Sequence, residues 1–213
     1  DKEVARYREA LVLWPKDSRL RAGLADAYVR QGRLEAAISE YQQALEQDPM
    51  DTDSRIKTGM IYIAEDEVWK AIHCFARVLE INPGSAAAYT GLGCVHLERG
   101  AINQAILWLK MAIHADSRYP DAHNYLGNAF RILGRLDEAL DEYRTAIELH
   151  PGYAQAHNNM GISLLEKGEV HKAIDSFNEA VQLFPQSVAA LCHIGEGYFR
   201  LGRLQEAREA LEQ

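Results

Sequence analysis

Cysteine is scarce in this chain: 3 residues out of 213, at Cys74, Cys94 and Cys192. The number is odd, the three lie far apart and none forms a CxxC pair, so neither a disulfide framework nor a zinc ribbon is expected. Three reduced thiols carried on helices are expected instead, which favours a reducing, cytoplasmic setting. There are only 6 prolines and no stretch rich in Pro, Ser or Gly. With 47% hydrophobic and 25% charged residues the composition is that of a folded protein, not a disordered one or a linker. No run of 18 apolar residues is present to insert directly into a membrane, and the opening Asp1-Lys2-Glu3 is not a signal peptide. The formal charge is -8, both signs are scattered, and no Lys/Arg cluster stands out. Nucleic acid, whose phosphates call for such a patch, is therefore not an expected partner. GxGxxG, P-loop, GxSxG and His-Glu-x-x-His patterns are all missing, so no enzyme activity and no cofactor are expected.

Five of the six prolines, Pro15, Pro49, Pro83, Pro151 and Pro185, are spaced by 34, 34, 68 and 34 residues. Ser117 occupies the skipped slot. A fixed period of this size marks a repeat architecture. Ending each unit two residues after the proline gives units at 18–51, 52–85, 86–119, 120–153 and 154–187, with part of a unit at 188–213 and a second half-unit at 1–17. The eighth slot reads Ala25, Gly59, Gly93, Gly127, Gly161 and Gly195; the fifteenth Gly32, Asp66, Gly100, Gly134, Gly168 and Gly202. The twentieth is alanine throughout, from Ala37 to Ala207. The twenty-fourth alternates Tyr41, Phe75, Leu109, Tyr143, Phe177 and Leu211.

These columns have physical causes. Apolar residues at helical spacing fill the first 14 or so slots, as in Leu20, Leu24, Ala27 and Tyr28. The fifteenth-slot glycine supplies a left-handed helix end. A second helix follows, as over Leu136 to Leu149, and the proline stops it. Small residues at the eighth and twentieth slots let the two helices approach, and the large residue at the twenty-fourth fills the space between neighbouring units. Periodicity alone thus predicts an all-α solenoid of helix pairs.

The unit Asp121-Ala122-His123-Asn124-Tyr125-Leu126-Gly127-Asn128-Ala129-Phe130, with Gly134, Ala139, Tyr143, Ala146 and Pro151, resembles the tetratricopeptide repeat consensus almost slot for slot. The resemblance runs over the whole chain, with local departures at Asp66, Ser117 and the fourth slot. It implies a right-handed superhelix of antiparallel helix pairs with a concave groove, and a role in binding protein or peptide.

Within the first helix the fourth, seventh, eighth and eleventh slots are read as buried. The second, sixth, ninth and thirteenth, flanked by the fifth and twelfth, are read as the groove face. The groove columns vary from unit to unit while the packing columns repeat. A scaffold with individualised contacts would show that contrast, and so would an unconstrained solvent-facing surface. The candidate groove residues are Lys57, Met60, Gly91, Cys94, Asn124, Tyr125, Asn128, Arg131, Asn158, Asn159, His193 and Glu196. Ala87, Thr90, Gly91 and Cys94 form a floor of small residues expected to leave room for a ligand chain. The neighbouring asparagines offer donor and acceptor to an extended backbone. They resemble in part the asparagine ladder of O-GlcNAc transferase repeats, although only Asn159 holds the sixth slot. The carboxylate clamp of co-chaperone repeats is not matched, because Asn124 and Ala189 stand where lysine is needed.

Other constellations read as structural. His123 and His157, with Cys192 and His193, could be written as a soft metal site, but packing in the fourth slot is the simpler account. The acidic pairs Asp137/Glu138 and Asp141/Glu142 suit the positive end of a helix dipole. Trp108 is expected in packing. Three functions remain open: an adaptor holding a peptide or partner helix, a scaffold self-associating through uncapped ends exposing Val4, Leu11 or Leu211, and the substrate-selecting arm of an enzyme lying elsewhere.

Overall fold

The computed structural model describes residues 2–212, and these form thirteen α-helices. First helices of the units are α2 (Ser18–Arg30), α4 (Thr52–Ala64), α6 (Ala86–Glu98), α8 (Pro120–Ile132), α10 (Ala154–Glu166) and α12 (Val188–Arg200). Second helices are α1 (Lys2–Leu13), α3 (Leu34–Gln47), α5 (Val68–Ile81), α7 (Ile102–Ala115), α9 (Leu136–Leu149), α11 (Val170–Leu183) and α13 (Leu204–Leu211).

Each first helix ends the same way. The N–H of the sixteenth slot returns to the carbonyl of the eleventh, from Arg33 to Tyr28 at 2.9 Å through Glu67 to Tyr62 at 2.8 Å to Arg203 to Tyr198 at 2.9 Å. That bond needs a left-handed residue between helix and loop. Gly134 supplies it at φ 71°, and Asp66 is forced into the same region at φ 58°. The turn after each second helix is equally uniform, and it closes without proline where Ser117 stands, by Tyr119 N–H to the Asp116 carbonyl at 3.3 Å.

The core is a spine and not a ball. Four successive apolar clusters run along it, the first around Leu24, Tyr28 and Tyr41 and the last around Leu164, Phe177 and Ile194. Two columns beyond the four read as buried are buried as well. They are the third (Ser54, Ala88, Ala122, Ala156, Ala190) and the tenth (Ala27, Ile61, Val95, Ala129, Ser163, Gly197), mostly small residues over which neighbouring helices pass. Trp108 packs within its own unit, its ring 6.0 Å from Tyr89 and 6.5 Å from His96.

First helices of successive units touch from α4 onward, whereas second helices of successive units do not pack together. The array therefore curves towards the first helices, and their outer faces line its concave side.

Candidate functional site

The sixth slot decides how open the concave side is. Its residue meets the twenty-fourth-slot residue of the preceding unit, so the two must share one space. A methyl group on Gly23 would lie 2.5 Å from Tyr7, and one on Gly91 would lie 2.3 Å from Phe75. His193 stacks on Phe177 with ring centroids 5.1 Å apart. Gly91 is thus no vacancy for a ligand chain, because Phe75 already fills it. Cys94 is also buried, at 5% exposure, and burial pushes its thiol up to about 12. The floor of small residues expected to be open is closed by the protein itself.

At one junction the shared space is not filled. Lys57 stands opposite Tyr41, and its ammonium turns away to Asp53 at 2.8 Å and Asp26 at 3.1 Å. Tyr41 donates its hydroxyl to Asp26 as well, and burial followed by that bond raises its phenol far above the ordinary value. Helices α2 and α4 consequently hardly touch, and a cleft of about 560 Å³ separates them. Its walls are Val29, Leu34, Ile56, Met60, Ile61 and Ala64, and Asp26, Arg30 and Lys57 form its charged rim.

Farther along, the asparagines are partly engaged with their own chain. Asn159 Nδ2 donates to Asn124 Oδ1 at 3.0 Å, Tyr143 donates to Asn128 Oδ1 at 2.8 Å, and His193 Nδ1 pairs with Asn158 Oδ1 at 3.1 Å. Asn124 is wholly buried, contrary to its reading as a surface contact. It also donates to the Tyr153 hydroxyl at 3.4 Å. Asn128 Nδ2, Asn158 Nδ2 and Asn159 Oδ1 make no bond within the described residues, so amide capacity is left facing the groove. Arg131 pairs with Glu166 at 2.8 Å and Glu196 with Arg200 at 2.5 Å.

Two tyrosines escaped the sequence reading. The residue before each first helix is Asp17, Asp51, Ser85 or Ser187 in four units, and each of these caps its helix through its side chain. Tyr119 and Tyr153 hold that place before α8 and α10 and make no such bond. Losing a cap costs about 1 kcal/mol. The Tyr153 hydroxyl instead donates to Asp121 Oδ1 at 2.5 Å. Burial raises the phenols of Tyr119, Tyr125 and Tyr153, and the Asp121 carboxylate beside them adds to the rise at each. The departure from Asp or Ser in this one column was the available signal.

The histidines weighed as metal ligands and read as packing residues have partners within the protein. His123 is bound between Glu142 at 2.7 Å and the Ser117 carbonyl at 3.1 Å, and His157 lies 3.2 Å from the Pro151 carbonyl. Among the described residues no group of three His, Cys, Asp or Glu is placed to hold a metal ion, and no helix is long and apolar enough to cross a membrane.

Tetratricopeptide repeat family models match residues 4–59, and 59–120 together with 158–213; a TPR repeat model matches 127–168. The chain belongs to the tetratricopeptide repeat family. Its fold is that family's right-handed α-solenoid, a scaffold for protein–protein interaction built around an extended concave surface. No curated protein matches the sequence. Among solved structures it is similar to YrrB, described as a TPR protein with an unusual peptide-binding site, at 24% identity and TM-score 0.53 over 87% of this chain and 95% of that one. The Cut9–Hcn1 hetero-tetramer of the APC/C aligns at 17% identity and TM-score 0.82 over 97% and 44%. TTC0263 of Thermus thermophilus aligns at 18% identity and TM-score 0.77 over 85% and 99%. Identity and TM-score do not rise together here. In a solenoid small rotations between units accumulate, so overall curvature diverges while each unit stays alike.

Proposed function

We propose that this tetratricopeptide array holds an extended peptide or a partner helix in its concave groove and performs no catalysis itself. The α2–α4 cleft carries this reading. It is an apolar hollow on the groove face, rimmed by charge and large enough for a bulky side chain. The free amide groups of Asn128, Asn158 and Asn159 farther along suit the backbone of an extended chain. The peptide-binding site named for YrrB is in keeping with such a use of the fold.

The test is selection of a random dodecapeptide library on the immobilised protein, followed by titration of the selected peptides against two variants. Met60→Glu places a charge in the cleft. Trp69→Ala removes the most exposed tryptophan, 77% accessible, from a second helix on the convex side. Affinity should fall at least about tenfold with Met60→Glu, the scale of burying an unpaired polar group, and hold with Trp69→Ala. The reverse pattern would move the binding face and sink the groove reading.

A further inference from the structure

The cationic side chains along the groove are already matched. Arg30 meets Glu3 at 2.5 Å, Lys57 meets Asp53 at 2.8 Å, Arg131 meets Glu166 at 2.8 Å and Arg200 meets Glu196 at 2.5 Å. Two carboxylates in the middle of the groove, Asp121 and Glu98, meet no cation among the described residues. Both lie near the buried Cys94 and raise its thiol further. Helix dipoles do not account for the pair. The start of α8 welcomes the charge of Asp121, but Glu98 is the last residue of α6, where a negative charge is disfavoured.

The surroundings of Asp121 suit a cationic side chain. Tyr153 donates its neutral phenol to Asp121, the Tyr119 phenol lies within hydrogen-bonding reach of the same carboxylate, and Tyr125 lies beside it. Tyrosine faces attract ammonium and guanidinium groups. Thr90, one repeat before Asn124 and so in the register that brings Asn124 to Tyr153, is 4% exposed, and its hydroxyl has no hydrogen-bond partner. Two helix caps are given up to bring these tyrosines here.

We propose that the middle of the groove takes a lysine or arginine side chain of the partner segment at Asp121, against Tyr119 and Tyr153, with Glu98 adding longer-range attraction. The proposal rests on the groove reading and specifies the partner's chemistry: an extended segment carrying a basic residue. The ammonium or guanidinium would donate to the Asp121 carboxylate alongside the Tyr153 phenol.

The peptides selected above test it. They should be enriched in Lys or Arg at one position, and Asp121→Asn should weaken them about tenfold or more, the size of a charge-assisted hydrogen bond. Glu148→Gln, on the exposed face of α9, changes net charge equally and should leave affinity within about twofold, because a screened, distant charge contributes little. Tyr153→Phe keeps the carboxylate and should retain binding, which separates loss of charge from loss of local structure. Peptides without basic enrichment that still respond to Met60→Glu would overturn the proposal and leave the groove reading standing. Equal weakening by Asp121→Asn and Glu148→Gln would reduce the attraction to diffuse charge and overturn it too. No selected peptide, or none responding to either Met60→Glu or Asp121→Asn, would overturn both.

Discussion

Gly91 lies directly against Phe75: a methyl group on its α-carbon would stand 2.3 Å from ring carbon Cε1. The same ring is covered from its own unit by Gly59, where a methyl would stand 2.8 Å away. One aromatic side chain thus joins two repeats because both offer it a residue without a side chain. This contact, repeated with different partners at each junction, sets how closely successive first helices approach.

Gly91→Ala should therefore destabilise the array. Alanine gains about 1 kcal/mol of helix propensity over glycine, but overpacking against a wholly buried ring costs about 1–3 kcal/mol or more. A net loss of up to about 2 kcal/mol is expected, read as a lower urea midpoint. Gly84→Ala is the control, since its nearest neighbour would be Asn82 at 3.6 Å, and it should leave the midpoint nearly unchanged.

Asp66→Gly should stabilise. Asp66 sits at φ 58°, the conformation that glycine adopts in every other unit. A left-handed L-residue costs about 1–2 kcal/mol, less for aspartate than for most, and the change also removes one charge between Glu65 and Glu67. A gain of about 0.5–1 kcal/mol should raise Tm by about 2–4 °C at most in a chain of this size. A fall in Tm would show that the Asp66 side chain, and not its backbone, matters at this turn.

Asp26→Ala should cost more than its exposure indicates. Asp26 accepts the Tyr41 hydroxyl and the Lys57 ammonium, the latter at 3.1 Å. Removing it strands a phenol on a side chain that is 1% exposed, and an unsatisfied buried donor costs about 1–3 kcal/mol. Tyr41→Phe removes the stranded group, so the double variant should recover part of the loss. Strict additivity in the double-mutant cycle would show that the two groups are uncoupled.

Stability should depend on pH through His123. Its bond to Glu142, working against the opposite effect of burial, holds its folded pKa above the ordinary value. A raised folded pKa means that its contribution is complete below the unfolded value, about 6.5, and is lost as pH rises through the folded one. His193 runs the other way: burial lowers its pKa, so its protonation opposes folding as pH falls through about 6.5. The difference in urea midpoint between wild type and Glu142→Gln should accordingly be larger at pH 5.5 than at pH 8.5. An equal difference at both would mean that the pair is not charged in the folded state.

Much of this molecule is legible from its sequence, and the reason is locality. A left-handed turn needs glycine within a few residues of the helix it ends, and a close crossing needs a small residue at a fixed slot. Gly134 and Ala139 announce these things without knowledge of any other unit. The candidate groove face was less legible. Met60 and Lys57 do line an open cleft, whereas Gly91, Cys94 and Asn124 are enclosed. Smallness at Gly91 signalled a partner side chain already in place, because the residue that fills it, Phe75, belongs to another repeat.

The sequence by itself determined the period, the helix pairs and their ends, since each follows from contacts and backbone preferences within about one turn or one unit. The tertiary structure alone decided which concave positions stay open, that Asn159 reaches Asn124 thirty-five residues away, and that two tyrosines in the place of caps converge on Asp121. These depend on the small rotation between neighbouring units. That rotation is the joint outcome of all the side chains sharing each junction, and no single column of the repeat encodes it.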